Sequence, residues 1–322
     1  MGYYPVYPAV LSRGEFARVR FTLEMVSGCR LDPGTLLGLR RPLRIAAAGM
    51  PVMPAAELFD TPPGVDPVAR RRYQKPAPGF VVHVDAAGAA EVLEGDRLHV
   101  ELLLLGRAIP WLGDFARIVA RLGRQGLAGG DGRFDLAGIE IATSDGGWRP
   151  LPAPVRPELL VPDLLRLDHW LESRWPPPGP LALQFSTPLR LLADGRVLRR
   201  PRFDQLFPFL LRRATSMLHA WCDLDAIDDP ASLLAAARAC TSRWITANWL
   251  DWRETGHRQP VGGLLGTLQI DGPDLDSLLW VLLLATLLGA GKGAAYGAGR
   301  CRLAATDLLA GGQGFDIIRV RA

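Results

Sequence analysis

The sequence predicts an α+β fold made of two tandem βαββαβ units, of the ferredoxin-like kind, on three observations. Stretches that alternate polar and apolar residues interleave with stretches of helical period in both halves. A proline-rich segment, 145-DGGWRPLPAPVRPELLVP-162, reads as a linker between them. The halves also close alike: a helix, a glycine-rich turn (123-GRQGLAGGDGRF-134 in one, 289-GAGKGAAYGAGRC-301 in the other) and a strand. The expected division is 1–148 and 149–322, with the longer glycine loop in the second unit.

Each element has its own reason. Alternation in 15-EFARVRFTLEM-25 predicts the first strand, and 34-GTLLGLRRPLRIAA-47 a short helical segment. Prolines crowd residues 51–78, which read as an irregular insertion. Strands follow at 79-GFVVHVD-85 and 97-RLHVELLLLG-106, an amphipathic helix at 111-WLGDFARIVARLG-123, and a strand at 133-RFDLAGIEIA-142. In the second half, 181-LALQFSTPLRLL-192 reads as a strand or strand pair. The segment 203–221 reads as a helix with Pro208 near its start, and 231–239 as a second helix. A strand at 261-VGGLLGTLQI-270, a helix at 274–288 and a last strand over 299–305 complete the pattern, in which the middle strand pair of this half is poorly resolved.

Composition bounds the function. The chain has 322 residues, 48% hydrophobic, enough for a sizeable core, and a formal net charge of +4 with a pI near 9.1 permits an anionic partner. Lys75 and Lys292 are the only lysines; the other cations are arginines, whose planar forks suit phosphate, although a GC-rich genome would also produce the bias. Cys29, Cys222, Cys240 and Cys301 are scattered without chelating partners, so neither a zinc site nor a disulfide framework is expected. The acidic residues form no chelating motif either, and no cofactor is expected. The N-terminus lacks the apolar core of a signal peptide. The apolar run Leu278–Leu288 is short of the roughly 20 residues a bilayer span takes. The expected setting is the cytoplasm, without membrane contact.

The loop 289–300 invites three phosphate-loop readings, two of which fail on spacing. A Walker loop would need a glycine where Thr286 stands and a serine or threonine where Gly293 stands. A dinucleotide fingerprint would need a final glycine where Ala294 or Tyr296 stands, in a strand-to-helix turn; this loop joins a helix to a strand. A purely structural turn remains possible but spends more backbone entropy than one capping glycine. The remaining reading is a polyanion cradle. Gly291, Gly293, Gly297 and Gly299 would let a phosphate chain approach the amides, Lys292 and Arg300 would supply charge, and Tyr296 would stack on a base.

These residues carry a family resemblance. A tryptophan-containing segment ending in Arg-Gln (251-DWRETGHRQ-259) precedes a glycine-glycine strand (262-GGLLGTLQI-270). The helix 278–288 then leads into 291-GKGAAYGAGR-300. In this order the segments resemble the CRISPR-associated endoribonucleases that process precursor crRNA, the Cas-six branch of the RAMP superfamily. The first half, with 97-RLHVELLLLGRAIPWLGDF-115 and 122-LGRQGLAGGDGRFDL-136, is similar too. The sequence departs from many relatives in three places. Residues 48–60 hold no cysteine, 34-GTLLGLRRPLR-44 holds no histidine, and Gly289 stands where relatives often have one.

The resemblance implies tandem RAMP domains that bind CRISPR repeat RNA. It implies metal-independent cleavage in which a ribose 2′-hydroxyl attacks the adjacent phosphate, leaving a 2′,3′-cyclic phosphate. Further subunits of a CRISPR effector complex would be partners. The alternative is a RAMP subunit that binds crRNA without cutting it. Proton transfer at a phosphate suits histidine. Of the five, His83 and His99 fall in predicted strands and His169 in a connection. His257, in a polar turn beside Arg258 and Gln259, and His219, near a helix end, are the candidate catalytic residues. Arg258, Gln259 and the helix cations Arg40, Arg41 and Arg44 join the loop residues as candidate RNA contacts. Tyr3, Tyr4 and Tyr7 are further proton-transfer candidates, although an N-terminal tyrosine cluster is usually packing.

Overall fold

A computed structural model describes residues 4–48, 50, 58–61, 76–83, 90–128, 130–152, 156–252 and 261–306. The first half runs β1 (Glu15–Met25), β2 (Cys29–Leu31), α1 (Pro33–Leu37), α2 (Arg40–Ala47), β3 (Phe80–His83), β4 (Ala90–Val92), β5 (Arg97–Leu105), α3 (Leu112–Gln125), β6 (Phe134–Ala142) and β7 (Trp148–Pro150). Then come β8 (Leu165–Arg166), α4 (Leu167–Arg174), β9 (Leu181–Leu189), β10 (Leu192–Ala193), β11 (Arg196–Val197), α5 (Phe203–Cys222), α6 (Ala231–Ala239), β12 (Thr241–Trp252), β13 (Val261–Asp271), α7 (Leu275–Leu288) and β14 (Cys301–Ala305).

The two sheets share one topology, and it is the tandem ferredoxin-like one. In the first, the order β3-β5-β1-β6 places the unit's second, third, first and fourth strands side by side; in the second, β12-β13-β9-β14 does the same. Every pairing is antiparallel. Val19 lies opposite Leu102 on one side and Ile141 on the other, and β9 pairs Leu183 with both Leu268 and Leu303. Alternation in β1 sends Val19, Phe21, Leu23 and Met25 into the core and leaves Arg18, Arg20, Thr22 and Glu24 on the opposite face.

The helices follow their periods. In α3 the buried set Leu112, Phe115, Ala116, Ile118, Val119, Leu122 and Gly123 forms one stripe, and the helix ends where Gly126 turns to φ +83°. Helix α7 is apolar all round and buried nearly throughout, as expected of a helix covered on every side. Among the described residues no helix is long and apolar enough to cross a membrane.

Two expectations needed correction. The strand β12 was not foreseen. Segment 145–162 is not only a linker: Trp148–Pro150 adds an edge strand to β6. The predicted insertion at 51–78 is described only at 58–61 and 76–78, and the end of the predicted strand 79–85 also lies outside the described residues.

One core joins the halves. Tyr296, from the second half, meets Phe80 of the first edge-on at 5.6 Å. Phe80 in turn packs on Phe115 and Phe59 at 5.2 and 5.7 Å. Trp221 meets Trp111 edge-on and donates its indole N–H to the Ala77 carbonyl at 3.0 Å. His83 bonds the Leu287 carbonyl at 3.2 Å.

Candidate nucleic-acid interface

Helix α7 stops because Gly289 takes φ +69° while its N–H closes on Ala285. Four more glycines in the turn have left-handed φ: Gly291, Gly293, Gly297 and Gly299. The amides expected to face an anion mostly end inside the protein. Ala290 N donates to Gly299 O and Gly299 N to Pro188 O, each at 3.0 Å. Lys292 N donates to Arg190 O at 2.9 Å, and Arg300 N to Thr187 Oγ1 at 2.8 Å. The amides of Tyr296, Gly297 and Ala298 close on Gly293 and Ala294 carbonyls, and Thr187 Oγ1 donates to Gly297 O at 2.6 Å. A cradle running the length of the turn is therefore not formed. The turn reaches solvent around Gly291, Lys292 and Gly293, and in part at Arg300.

Tyr296 also departs from expectation. It is 6% exposed and packed on Phe80, so its ring is core and offers no face to a base. Its hydroxyl is buried without a partner among the described residues. Burial pushes the phenol up to about 12; Asp60 adds to the rise, while Arg40 and Arg44 oppose it. Replacing Tyr296 by Phe should leave stability unchanged or raise it by up to about 1 kcal/mol, because an unpaired buried hydroxyl is a desolvation cost. A chemical melt checks this; a clear loss would mean the hydroxyl has an acceptor.

Two of the three α2 arginines, Arg40 and Arg44, come close enough to this turn to act on Tyr296. Arg40 and Arg44 both bind Asp60, at 2.7 and 2.8 Å, with their side chains half-exposed, and Arg41 is exposed. Arg300 directs its charge toward His83 and Glu101, which lie in register with Arg20 on the first sheet where α7 covers it. There Glu101 binds Arg18 at 2.8 Å and Arg20 at 3.2 Å. Burial by itself raises the Glu101 carboxyl, but the charge and hydrogen bond of Arg18, with His83 and Arg300, hold it down to about 2. His83 is forced down to about 3 by burial and by Arg300, so it is neutral at pH 7 and structural. His99 bonds Thr22 at 3.3 Å and is lowered by burial and by Arg20.

His219 lies in the last turn of α5, its Nδ1 3.1 Å from Asp225. Arg212, Ser216 and His219 are spaced i, i+4, i+7 along that helix and share a face. His257, Arg258 and Gln259 lie outside the described residues.

Sequence reasoning passed over a cleft of about 270 Å³ beside the turn. It is lined by Arg190, Arg212, Arg213 and Lys292 around Leu191, Leu192, Phe209 and Met217, with Ala77 from the first half, and no carboxylate among the described residues lines it. Arg213 donates twice to the Leu288 carbonyl, at 2.9 and 2.8 Å, capping α7. Burial lowers it only to about 10, so it stays charged. Arg190 Nη1 donates to Gly262 O at 3.0 Å, and the Arg212 guanidinium sits 5.1 Å from the Phe209 ring centre. Of these four cations the sequence pattern had singled out only Lys292.

Comparison with known proteins adds the following. Residues 183–301 match the family described as CRISPR-associated endoribonuclease Cas6, and residues 50–158 match a family described as an N-terminal domain. No curated protein sequence matches. The fold is similar to a Cas6 product complex (TM-score 0.52, 19% identity, 90% of this chain and 99% of that one). It is similar to Thermus thermophilus Cas6 (TM-score 0.51, 14% identity, 90% and 98%). It also resembles part of a chain in a partial Cas6-RT-Cas1–Cas2 complex (TM-score 0.59, 13% identity), covering 90% of this chain and 46% of that one.

Proposed function

We propose, from the premise that the chain is a Cas6-family CRISPR-associated protein, that it binds CRISPR repeat RNA and cuts it without a metal ion. The reading is carried by the gathering of cations at one junction of the two halves. Arg40 and Arg44 from α2 act on the same turn that carries Lys292, although about 250 residues of chain separate them. Fixed cations at a phosphate stabilise charge that develops as a 2′-hydroxyl attacks it.

Cleavage by this route needs a base for the 2′-hydroxyl and an acid for the leaving 5′ oxygen, giving a 2′,3′-cyclic phosphate and a 5′-hydroxyl. His219 suits one of these roles. The Asp225 carboxylate beside Nδ1 would orient the ring. His257 is the candidate for the other, with Arg258 and Gln259 beside it on the RNA. A second reading, a subunit that binds crRNA without cutting it, is favoured by one observation: α2 carries three arginines and no histidine.

Labelled repeat RNA incubated in EDTA separates the two. Cleavage leaving a cyclic phosphate is the expected result, and salt-dependent binding with intact RNA would establish the second reading. Within the first, His219→Ala should slow cleavage by about 10²- to 10⁴-fold. An unchanged rate would remove His219 from the mechanism. Companion subunits of a CRISPR effector complex are proposed partners on the same premise.

A further inference from the structure

We infer that the cleft of Arg190, Arg212, Arg213 and Lys292 is a phosphodiester-binding site on the RNA path, in which side-chain cations do what the turn amides cannot. The inference rests on the RNA reading above and deepens it, naming the residues that hold the backbone and the chemistry they recognise.

Residues 190–192, helix α5 soon after them, and the turn at 291–292 much further along the chain bring four cations to one concavity, with no carboxylate among the described residues of its lining. Like charges gathered on a partly apolar wall repel each other, and an anion bound among them relieves that repulsion. Internal bonds pre-set the cations. Arg213 is fixed by its two bonds to Leu288 O, and Arg190 by Gly262 O. The Arg190 main chain also receives the Lys292 amide, so the turn and the cleft form one rigid unit. Arg190 Nε is buried and has no partner among the described residues, a donor that an oxygen in the cleft would satisfy. The volume is several times the roughly 30 Å³ of a water molecule, enough for a phosphate and part of its sugar against Leu191, Phe209 and Met217.

The test uses the full chain and single-stranded repeat RNA, with affinity measured by fluorescence anisotropy over a series of KCl concentrations. Arg212 and Lys292 are exposed, so Arg212→Ala and Lys292→Ala should keep the wild-type melting temperature. Each should weaken binding of any RNA sequence by roughly threefold to tenfold and reduce the steepness of log K against log[salt] by about 0.7. Arg212→Lys should recover most of the slope, which a packing role would not allow. Arg213→Ala would not discriminate, because it also uncaps α7.

Wild-type affinity and slope in the double variant Arg212→Ala/Lys292→Ala would overturn the cleft assignment while leaving RNA binding intact. If the wild type itself shows no salt-dependent RNA binding, the RNA reading falls, and inorganic phosphate titrated by calorimetry becomes the probe. Phosphate bound by the wild type and lost in the double variant would then overturn the phosphodiester assignment in favour of a free-phosphate site.

Discussion

Gly299→Ala is expected to unfold the protein or to destabilise it by about 3 kcal/mol or more. At φ +62° a Cβ is strained wherever it points, and here it would lie 1.9 Å from the Ala290 carbonyl oxygen, a backbone atom that cannot step aside. That oxygen belongs to the residue whose own amide closes the turn on Gly299, so relief of the clash would open the turn from both sides. Gly95 provides the control. Its φ of +85° is just as left-handed, but a Cβ there meets nothing within 4 Å, so Gly95→Ala should cost only about 1 kcal/mol. Urea melts of the two variants check the contrast. Were Gly299 there only to admit a phosphate chain, its alanine variant would melt like the wild type and lose RNA affinity alone.

The second large effect is on pH dependence. His83 is 8% exposed and titrates near 3 in the folded protein against about 6.5 in the unfolded chain. Above pH 6.5 both states hold it neutral and it contributes nothing to the slope. Below 6.5 the unfolded chain takes a proton that the folded protein refuses, so stability falls by about 1.4 kcal/mol per pH unit until the pH nears 3. Glu101, also lowered in the folded state, contributes stability that is present above about 4.5 and is lost as the pH falls toward 2. Both groups therefore weaken the protein in acid, His83 first. Between pH 7.5 and 5 the wild type should lose about 2 kcal/mol more than His83→Gln, which keeps a donor for the Leu287 carbonyl and has no titration. Parallel profiles for the two proteins would show that His83 is not held neutral by the fold.

Much of the fold was legible because the dominant signals are local. β1 alternates cleanly, α3 keeps one apolar stripe, and the repeated helix, glycine turn and strand betray the duplication. β12 escaped because it is an edge strand with both faces largely exposed, so its sequence 241-TSRWITANWLDW-252 shows neither a buried run nor a polar face. The glycine turn was legible as unusual but not for the right reason. Composition cannot distinguish a glycine that admits a ligand from one, like Gly299, that must let two strands of its own backbone meet. Tyr296 was misjudged for a related reason, since nothing near it in sequence announces Phe80. The cleft was invisible because Arg190, Arg212, Arg213 and Lys292 converge only in three dimensions, in a chain where arginine is common everywhere.

The shared aromatic core has a consequence for how such a molecule can vary. Tyr296 and Trp221 are lodged among side chains and carbonyls that belong to the opposite half, so each duplicate is finished by its neighbour. Neither half is an interchangeable cassette. A homologue's N-terminal unit grafted onto this C-terminal one would have to bring a matching socket for both rings. Divergence between the two copies is thus coupled: a bulkier residue at Phe80 or Gly79 would demand a compensating change more than 100 positions downstream.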